Sequence, residues 1–224
     1  MGTTMTYIQL KNRGFTKDEL QGCMNALFSG KKQGQRSLED LERGMAALKG
    51  TKLTLKDRAV LKLLHGAMER EDKGPQMGFR PDAAWLPFYQ TRLCDGSIQS
   101  SRNLGRLSEV FQTPVLAFAL FDSDVLFVSY RDNAAGAAYD YARLPWEGYE
   151  EYDDELYRLG FPEFLAQLCP PDRREELRRI WEEDGGDDVF ADDRMEKLME
   201  LLGMEAIDPE AGQFPEGFER VVPG

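Results

Sequence analysis

The sequence predicts an α+β protein in which a mixed or antiparallel sheet of about five strands is covered by helices. The main observation is a pair of strongly apolar runs, 115–121 and 125–131, on either side of an Asp-Ser-Asp turn. A shorter run, 137–142, follows a Gly-containing turn, as expected for a strand meander. The second observation is a set of capped, amphipathic helical segments before and after this meander. Helices combined with adjacent antiparallel strands are typical of the α+β class.

Two further strands are predicted ahead of the meander. Residues 4–10 contain β-branched and aromatic residues in rough alternation, a pattern that favours a strand. Residues 84–90 read as another strand, and Pro87 favours an edge position or a bulge there because proline has no N–H to donate. The order of the strands within the sheet does not follow from the sequence.

Helix boundaries are set by capping residues. Thr16 and Glu19 form a capping box, which predicts a helix from that point. A second helix is expected to begin at Ser100 or Ser101 and to end before Pro114, because proline pushes the preceding residue out of the helical region. In the last third, helices are predicted near 161–168, after Pro171, and around 195–202, with Asp192 near the start of the last one.

The chain is interpreted as a single domain, 1–224, with two distinctive parts. Residues 31–79 are predicted to be an inserted helical hairpin that closes in the loop-like stretch EREDKGPQMG. Residues 145–224 are predicted to be an acidic, mainly helical C-terminal part, with irregular chain from Ile207 onwards. The insertion is also a candidate contact between copies if the protein is an assembly subunit.

Charge and composition argue against several classes of function. Residues 145–224 hold 24 Asp and Glu against 8 Lys and Arg, a net charge of −16 that argues against a nucleic-acid surface. The three cysteines have no metal-binding or disulfide spacing, and the N-terminal stretch lacks the pattern of a secretory signal. A cytoplasmic location and no membrane contact are therefore expected. Glycine-rich phosphate loops are absent and His65 is the single histidine, so no cofactor is predicted.

An acidic and aromatic stretch is the predicted binding surface. Aromatic side chains supply contact area, and the acids would steer a basic protein partner towards them. The alternative is that the aromatics pack onto the sheet while the acids stay in solvent. The leading hypothesis is a non-catalytic interaction protein of bacterial type, with an immunity- or antitoxin-like protein as its subclass. The candidate partner-binding residues are Trp146, Tyr149, Glu150, Glu151, Tyr152, Asp153, Asp154 and Tyr157.

The competing hypothesis is a divalent-metal enzyme acting on a nucleotide or sugar phosphate through Asp122 and Asp124. An apolar strand ending in Asp-x-Asp resembles the metal-binding signature of nucleotide-sugar transferases, in which carboxylates hold Mn²⁺ or Mg²⁺ against a diphosphate. Hard oxygen ligands at the end of a rigid strand suit such an ion. Hairpin-turn chemistry, in which Asp side chains accept hydrogen bonds from nearby backbone N–H groups, explains the same residues without a metal.

Overall fold

A computed structural model describes residues 5–28, 74–90, 100–121, 124–144, 157–183, 191–207 and 213–224. Within these ranges the chain forms one seven-stranded sheet in the order β6-β5-β4-β1-β3-β2-β7, and every neighbouring pair of strands is antiparallel. The strands are β1 (Met5–Lys11), β2 (Gln76–Phe79), β3 (Trp85–Tyr89), β4 (Val115–Phe121), β5 (Val125–Asp132), β6 (Ala137–Arg143) and β7 (Glu219–Val221).

Five α-helices accompany the sheet in the described ranges. They are α1 (Lys17–Phe28), α2 (Ser100–Phe111), α3 (Glu163–Leu168), α4 (Arg174–Glu182) and α5 (Ala191–Leu201), with a 3₁₀ turn (Pro171–Arg173) directly before α4. The predicted capping box is confirmed at α1. The Thr16 N–H donates to Glu19 Oε2 at 2.8 Å, and the Glu19 N–H donates to Thr16 Oγ1 at 3.2 Å. These bonds satisfy two donors that the first turn of a helix leaves without partners.

The helices cover both faces of the sheet. Side chains on β4 alternate: Val115 and Ala117 join a core with α1 and α2, whereas Leu116 and Phe118 join a second core with the C-terminal helices. The indole N–H of Trp85 donates to the carbonyl of Leu202 at 3.1 Å, which ties the sheet to the residue that follows α5. The protein is therefore α+β with helices on both sides of an antiparallel sheet.

The predicted count of five strands is wrong, although all five predicted strands exist. The additional strands are β2 and β7, which pair with each other through Met77–Val221, Gly78–Arg220 and Phe79–Glu219. The sequence predicts loop or irregular chain in both stretches, because β2 lies at the end of a segment rich in charges, Gly and Pro and β7 lies in a tail rich in Pro and Gly. The two stretches form strands because they pair with each other, although they lie far apart in the sequence.

The expected edge position of Pro87 is also wrong, since β3 lies between β1 and β2. Pro87 lies opposite Gln9 of β1, and the register of β2 with β3 ends at Met77–Phe88, beside the proline. The missing N–H is thus accommodated where a ladder ends. Residues 31–73 of the predicted insertion, 31–79, lie outside the described residues. None of the described helices is long and apolar enough to span a membrane.

Candidate functional site

The β5–β6 hairpin forms one end of the sheet. A tight turn joins the strands: Asp132 Oδ1 accepts a bond from the Ala135 N–H at 3.2 Å, and Gly136 has a positive φ of 64°. Such a φ is readily adopted only by glycine, so Gly136 fixes the turn. The resulting register places Tyr139 opposite Tyr130.

The outer edge of β6 is paired with a short stretch of chain that follows the acidic and aromatic sequence. The Ala142 N–H donates to the Arg158 carbonyl, and the Arg158 N–H donates to the Asp140 carbonyl, both at 3.0 Å. Tyr141 and Arg158 therefore form a parallel bridge. This bridge holds the backbone of Arg158 against β6.

Aromatic rings cover one face of the hairpin. The ring of Phe164 on α3 lies 5.0 Å from Tyr130, 5.4 Å from Tyr139 and 5.8 Å from Tyr141, measured between centroids. The guanidinium of Arg158 lies over Tyr139 at 5.6 Å. Aromatic and cation–π contacts of this kind each add about 0.5–1.5 kcal/mol beyond the buried area. They hold α3 and Arg158 against β6.

On the opposite face of the β5–β6 hairpin, Arg131 and Asp140 form a charged pair. Arg131 NH2 contacts both carboxylate oxygens of Asp140, at 2.9 and 2.7 Å, and Ser129 Oγ donates to Asp140 Oδ1 at 2.7 Å. Arg131 NH1 also donates to the carbonyls of Tyr130 and Tyr139 at 2.8 and 2.9 Å. One nitrogen of the Arg131 guanidinium thus contacts the Asp140 carboxylate and the other bonds backbone carbonyls, so this side chain links β5 to β6 through charge-assisted hydrogen bonds.

Tyr157 packs beside this pair. Its ring lies 4.6 Å from the ring of Phe127, and its side chain is half-buried. Burial raises the pKa of Tyr157, the charge of Asp140 adds to the rise, and Arg131 opposes it. Burial, reinforced by Asp132, likewise raises the pKa of Tyr130 to about 12. Both phenols therefore stay protonated at neutral pH and contribute contact area and hydrogen bonding, not charge.

Leu159 protrudes from the same stretch of chain. Its exposed fraction is 52 %, and in the described residues the only other exposed large hydrophobic side chain is Val222. Two residues further on, Phe161 is covered by the guanidinium of Arg178 at 4.1 Å, which is paired in turn with Glu163 at 2.7 Å. An exposed leucine between two arginine–aromatic contacts is a candidate contact point for another molecule.

Of the predicted partner-binding residues, the structure describes Tyr157 alone. Its ring packs onto the sheet, as the alternative interpretation expects for the aromatics. The other predicted partner-binding residues lie outside the described part of the chain: Trp146, Tyr149, Glu150, Glu151, Tyr152, Asp153 and Asp154. Whether they contact a partner stays a prediction.

The predicted metal ligands fall between β4 and β5 in the sequence. Asp122 is outside the described residues, whereas Asp124 is exposed and immediately precedes β5. Across the described ranges, no group of three or more His, Cys, Asp or Glu residues is arranged to hold a metal ion. Metal binding by Asp122 and Asp124 stays a prediction.

Burial makes the two described cysteines poor nucleophiles. Cys23 is half-buried with its Sγ 3.6 Å from the Val110 carbonyl, and Cys169 is buried with its Sγ 3.8 Å from the Leu201 carbonyl. Burial raises the pKa of both thiols, which disfavours the reactive thiolate. Cys94 and His65 lie outside the described residues.

Sequence reasoning missed Arg158 and Leu159, because neither belongs to a motif and their importance comes from the pairing of Arg158 with β6. The Tyr-x-Tyr alternation at 139 and 141 was the one available signal, since it places both rings on one face of the strand.

No protein family, curated protein or solved structure matches the chain.

Proposed function

We propose that this protein is a non-catalytic binding protein that contacts a basic protein partner through the β6 end of its sheet. The contact surface comprises residues 146–159, which we call the acidic edge. The observation that carries the proposal is Leu159, whose side chain is 52 % exposed directly beside the acidic sequence. Interfaces commonly combine an apolar anchor with charged residues around it.

The charge of the acidic edge sets the chemistry of the partner. Residues 146–157 contain six carboxylates and no Lys or Arg. A surface with one sign of charge attracts an oppositely charged partner and speeds its association. A basic protein is therefore the partner class that fits, and neutralisation of such a protein, in the manner of an immunity protein or antitoxin, is the role we propose.

The described end of the acidic edge, residues 157–159, is attached to a hairpin that is packed on both faces. The Arg131–Asp140 pair holds one face of the hairpin, and the ring of Phe164 packs against the other. Arg158 joins the acidic edge to β6 through two backbone hydrogen bonds. A binding residue on such a support loses less conformational entropy when the partner binds.

The test is a charge reversal in the acidic edge. Bound proteins are captured from the native host with the wild type and with the fourfold variant Glu150→Lys, Glu151→Lys, Asp153→Lys and Asp154→Lys. We expect a basic protein to bind the wild type and to be lost from the variant. The captured protein is then purified, and its affinity for each form is measured by calorimetry at two salt concentrations. Any activity of that partner is assayed with and without the wild-type chain.

The matched control reverses four exposed acids that lie elsewhere on the described surface: Asp18, Glu109, Glu196 and Glu216. This control changes the net charge by the same amount, so it separates a local surface from a general charge effect. Equal loss of the partner from both variants would refute the acidic edge as the contact surface. If the protein captured by the wild type is acidic and the fourfold variant still binds it, that result would also contradict the proposal.

A further inference from the structure

A groove separates α4 from α5 on the side of the molecule formed by the C-terminal helices. Its volume is about 590 Å³, within the range of about 300–1,000 Å³ that is usual for small-molecule sites. The groove is lined by Arg173, Glu176, Arg179, Ile180, Glu183, Arg194, Lys197, Glu200 and Leu201.

The lining residues recur every three or four positions along the sequence, so they lie on the facing sides of the two helices. Residues three and four apart share one face of a helix, so α4 and the 3₁₀ turn before it supply one wall, and α5 supplies the other. Ile180 and Leu201 are buried and give the groove an apolar base. Arg194 is only 6 % exposed, and its NH2 donates to the Glu183 carbonyl at 2.6 Å, which fixes its guanidinium.

The groove gathers positive charge within the most acidic part of the chain. Residues 145–224 contain 8 basic residues, and four of them line this groove: Arg173, Arg179, Arg194 and Lys197. Three of the others have roles outside the groove. Arg158 lies over Tyr139, Arg174 donates to the Cys169 carbonyl, and Arg178 pairs with Glu163.

Two of the four cations are available to a ligand. Within the part of the chain that the structure describes, the side chains of Arg173 and Lys197 form no hydrogen bond or ion pair. The Arg179–Glu183 pair at 3.2 Å has both side chains more than half exposed, at 61 % and 53 %. Pairs of this kind contribute little stability, so a stronger anionic ligand can displace Glu183.

We propose that this groove binds a small organic molecule that carries a phosphate or carboxylate group. The anionic group contacts Lys197 and the neighbouring guanidinium groups, and the remainder of the ligand packs on Ile180 and Leu201. Glu176 and Glu200 line the same groove and repel the anion. The affinity therefore depends on the balance between the cations and these two carboxylates.

The test uses inorganic phosphate and citrate as probes on the full chain. Calorimetry and thermal unfolding are measured at constant ionic strength, with chloride as the reference anion. We expect saturable binding of at least one probe, with a Kd in the range of about 0.1–1 mM, and a rise in melting temperature. Binding of phosphate alone or citrate alone identifies which anionic group the groove accepts.

Variants that remove either a positive or a negative charge from the groove make the test specific. Lys197→Gln and Arg173→Gln are each expected to weaken probe binding about three- to tenfold, whereas Glu176→Gln is expected to tighten it by a similar factor. Arg106→Gln removes one exposed cation from α2 and serves as the control, with unchanged affinity expected. The substituted side chains are exposed, so the variants should fold.

Three results would overturn the proposal. One is a response to phosphate and citrate that chloride reproduces at the same ionic strength. Another is equal affinity of the wild type and both cation variants, which would place the bound anion elsewhere. The third is weaker binding in Glu176→Gln. None of these measurements involves the acidic edge. A result that overturns anion binding in the groove therefore leaves the proposed partner-binding function intact.

Discussion

Replacement of Asp140 by Asn tests how firmly β6 and the acidic edge are held. The substitution keeps the shape of the side chain but removes the charge that Arg131 contacts at 2.7 and 2.9 Å. Ser129 Oγ can still donate to the new side-chain oxygen. Arg131 keeps its bonds to two backbone carbonyls, so the main effect is loss of the charged partner.

The expected cost follows from the partial burial of the pair. The side chains of Arg131 and Asp140 are 12 % and 28 % exposed. Breaking a fully buried pair costs about 3–5 kcal/mol, and an exposed pair contributes about 0–1 kcal/mol. We therefore expect Asp140→Asn to lower the free energy of unfolding by about 2 kcal/mol. In a chain of this size that is a fall in melting temperature of about 4–8 °C.

The assay combines thermal unfolding with hydrogen exchange. The Arg158 N–H donates to the Asp140 carbonyl, so weaker attachment of β6 should speed exchange at Arg158. Asp124→Asn serves as the control, because Asp124 is exposed and its replacement should change stability by less than about 0.5 kcal/mol. A double-mutant cycle with Arg131→Gln measures the pair energy directly.

A melting temperature of Asp140→Asn within about 1 °C of the wild type would show that the charged pair contributes little to stability. The reasoning is refuted if the cycle yields a coupling energy below about 0.5 kcal/mol, since the pair would then behave as a surface ion pair. A large loss of stability without faster exchange at Arg158 would show that the pair stabilises the hairpin but not its outer edge.

Two further predictions concern titration and metal binding. Because the pKa of Tyr130 is raised to about 12, its contribution to stability is fully present below about pH 10, the usual tyrosine pKa, and is lost as the pH rises towards 12. Tyr130→Phe should flatten the fall of melting temperature over this interval, and an identical pH profile would contradict the assignment. If Asp122 and Asp124 bind Mg²⁺ or Mn²⁺, Asn at either position should abolish the metal-induced rise in melting temperature while the metal-free protein melts nearly as before. The absence of any rise in the wild type with Mg²⁺, Mn²⁺ or Ca²⁺ would remove this metal site from consideration.

Local chemistry explains why much of the fold could be predicted. The Thr16–Glu19 capping box depends on residues three apart, and it starts α1 where expected. The apolar runs of β4 and β5 are separated by a turn, so their pairing also involves neighbouring residues. Signals of this kind are contained in a short window of sequence and are correspondingly reliable.

Gly78 illustrates what a local reading misses. A glycine in a four-residue strand suggests a loop, yet a Cβ at this position would lie 2.7 Å from Phe214 and 3.0 Å from Pro87. The glycine is required because a distant part of the chain packs against β2. Such a requirement is visible only when the packing is known.

Local sequence patterns are sufficient to predict the α+β class, five of the seven described strands, the start of α1 and the strongly acidic character of the last third. These features depend on periodicity, capping and composition, which a single chain displays directly. The tertiary structure alone decided the β2–β7 pairing, the attachment of Arg158 to β6, the exposure of Leu159 and the convergence of Arg173 and Lys197 on one groove. Each of these joins residues that are separated along the chain or depends on what covers a side chain, and no local pattern encodes either.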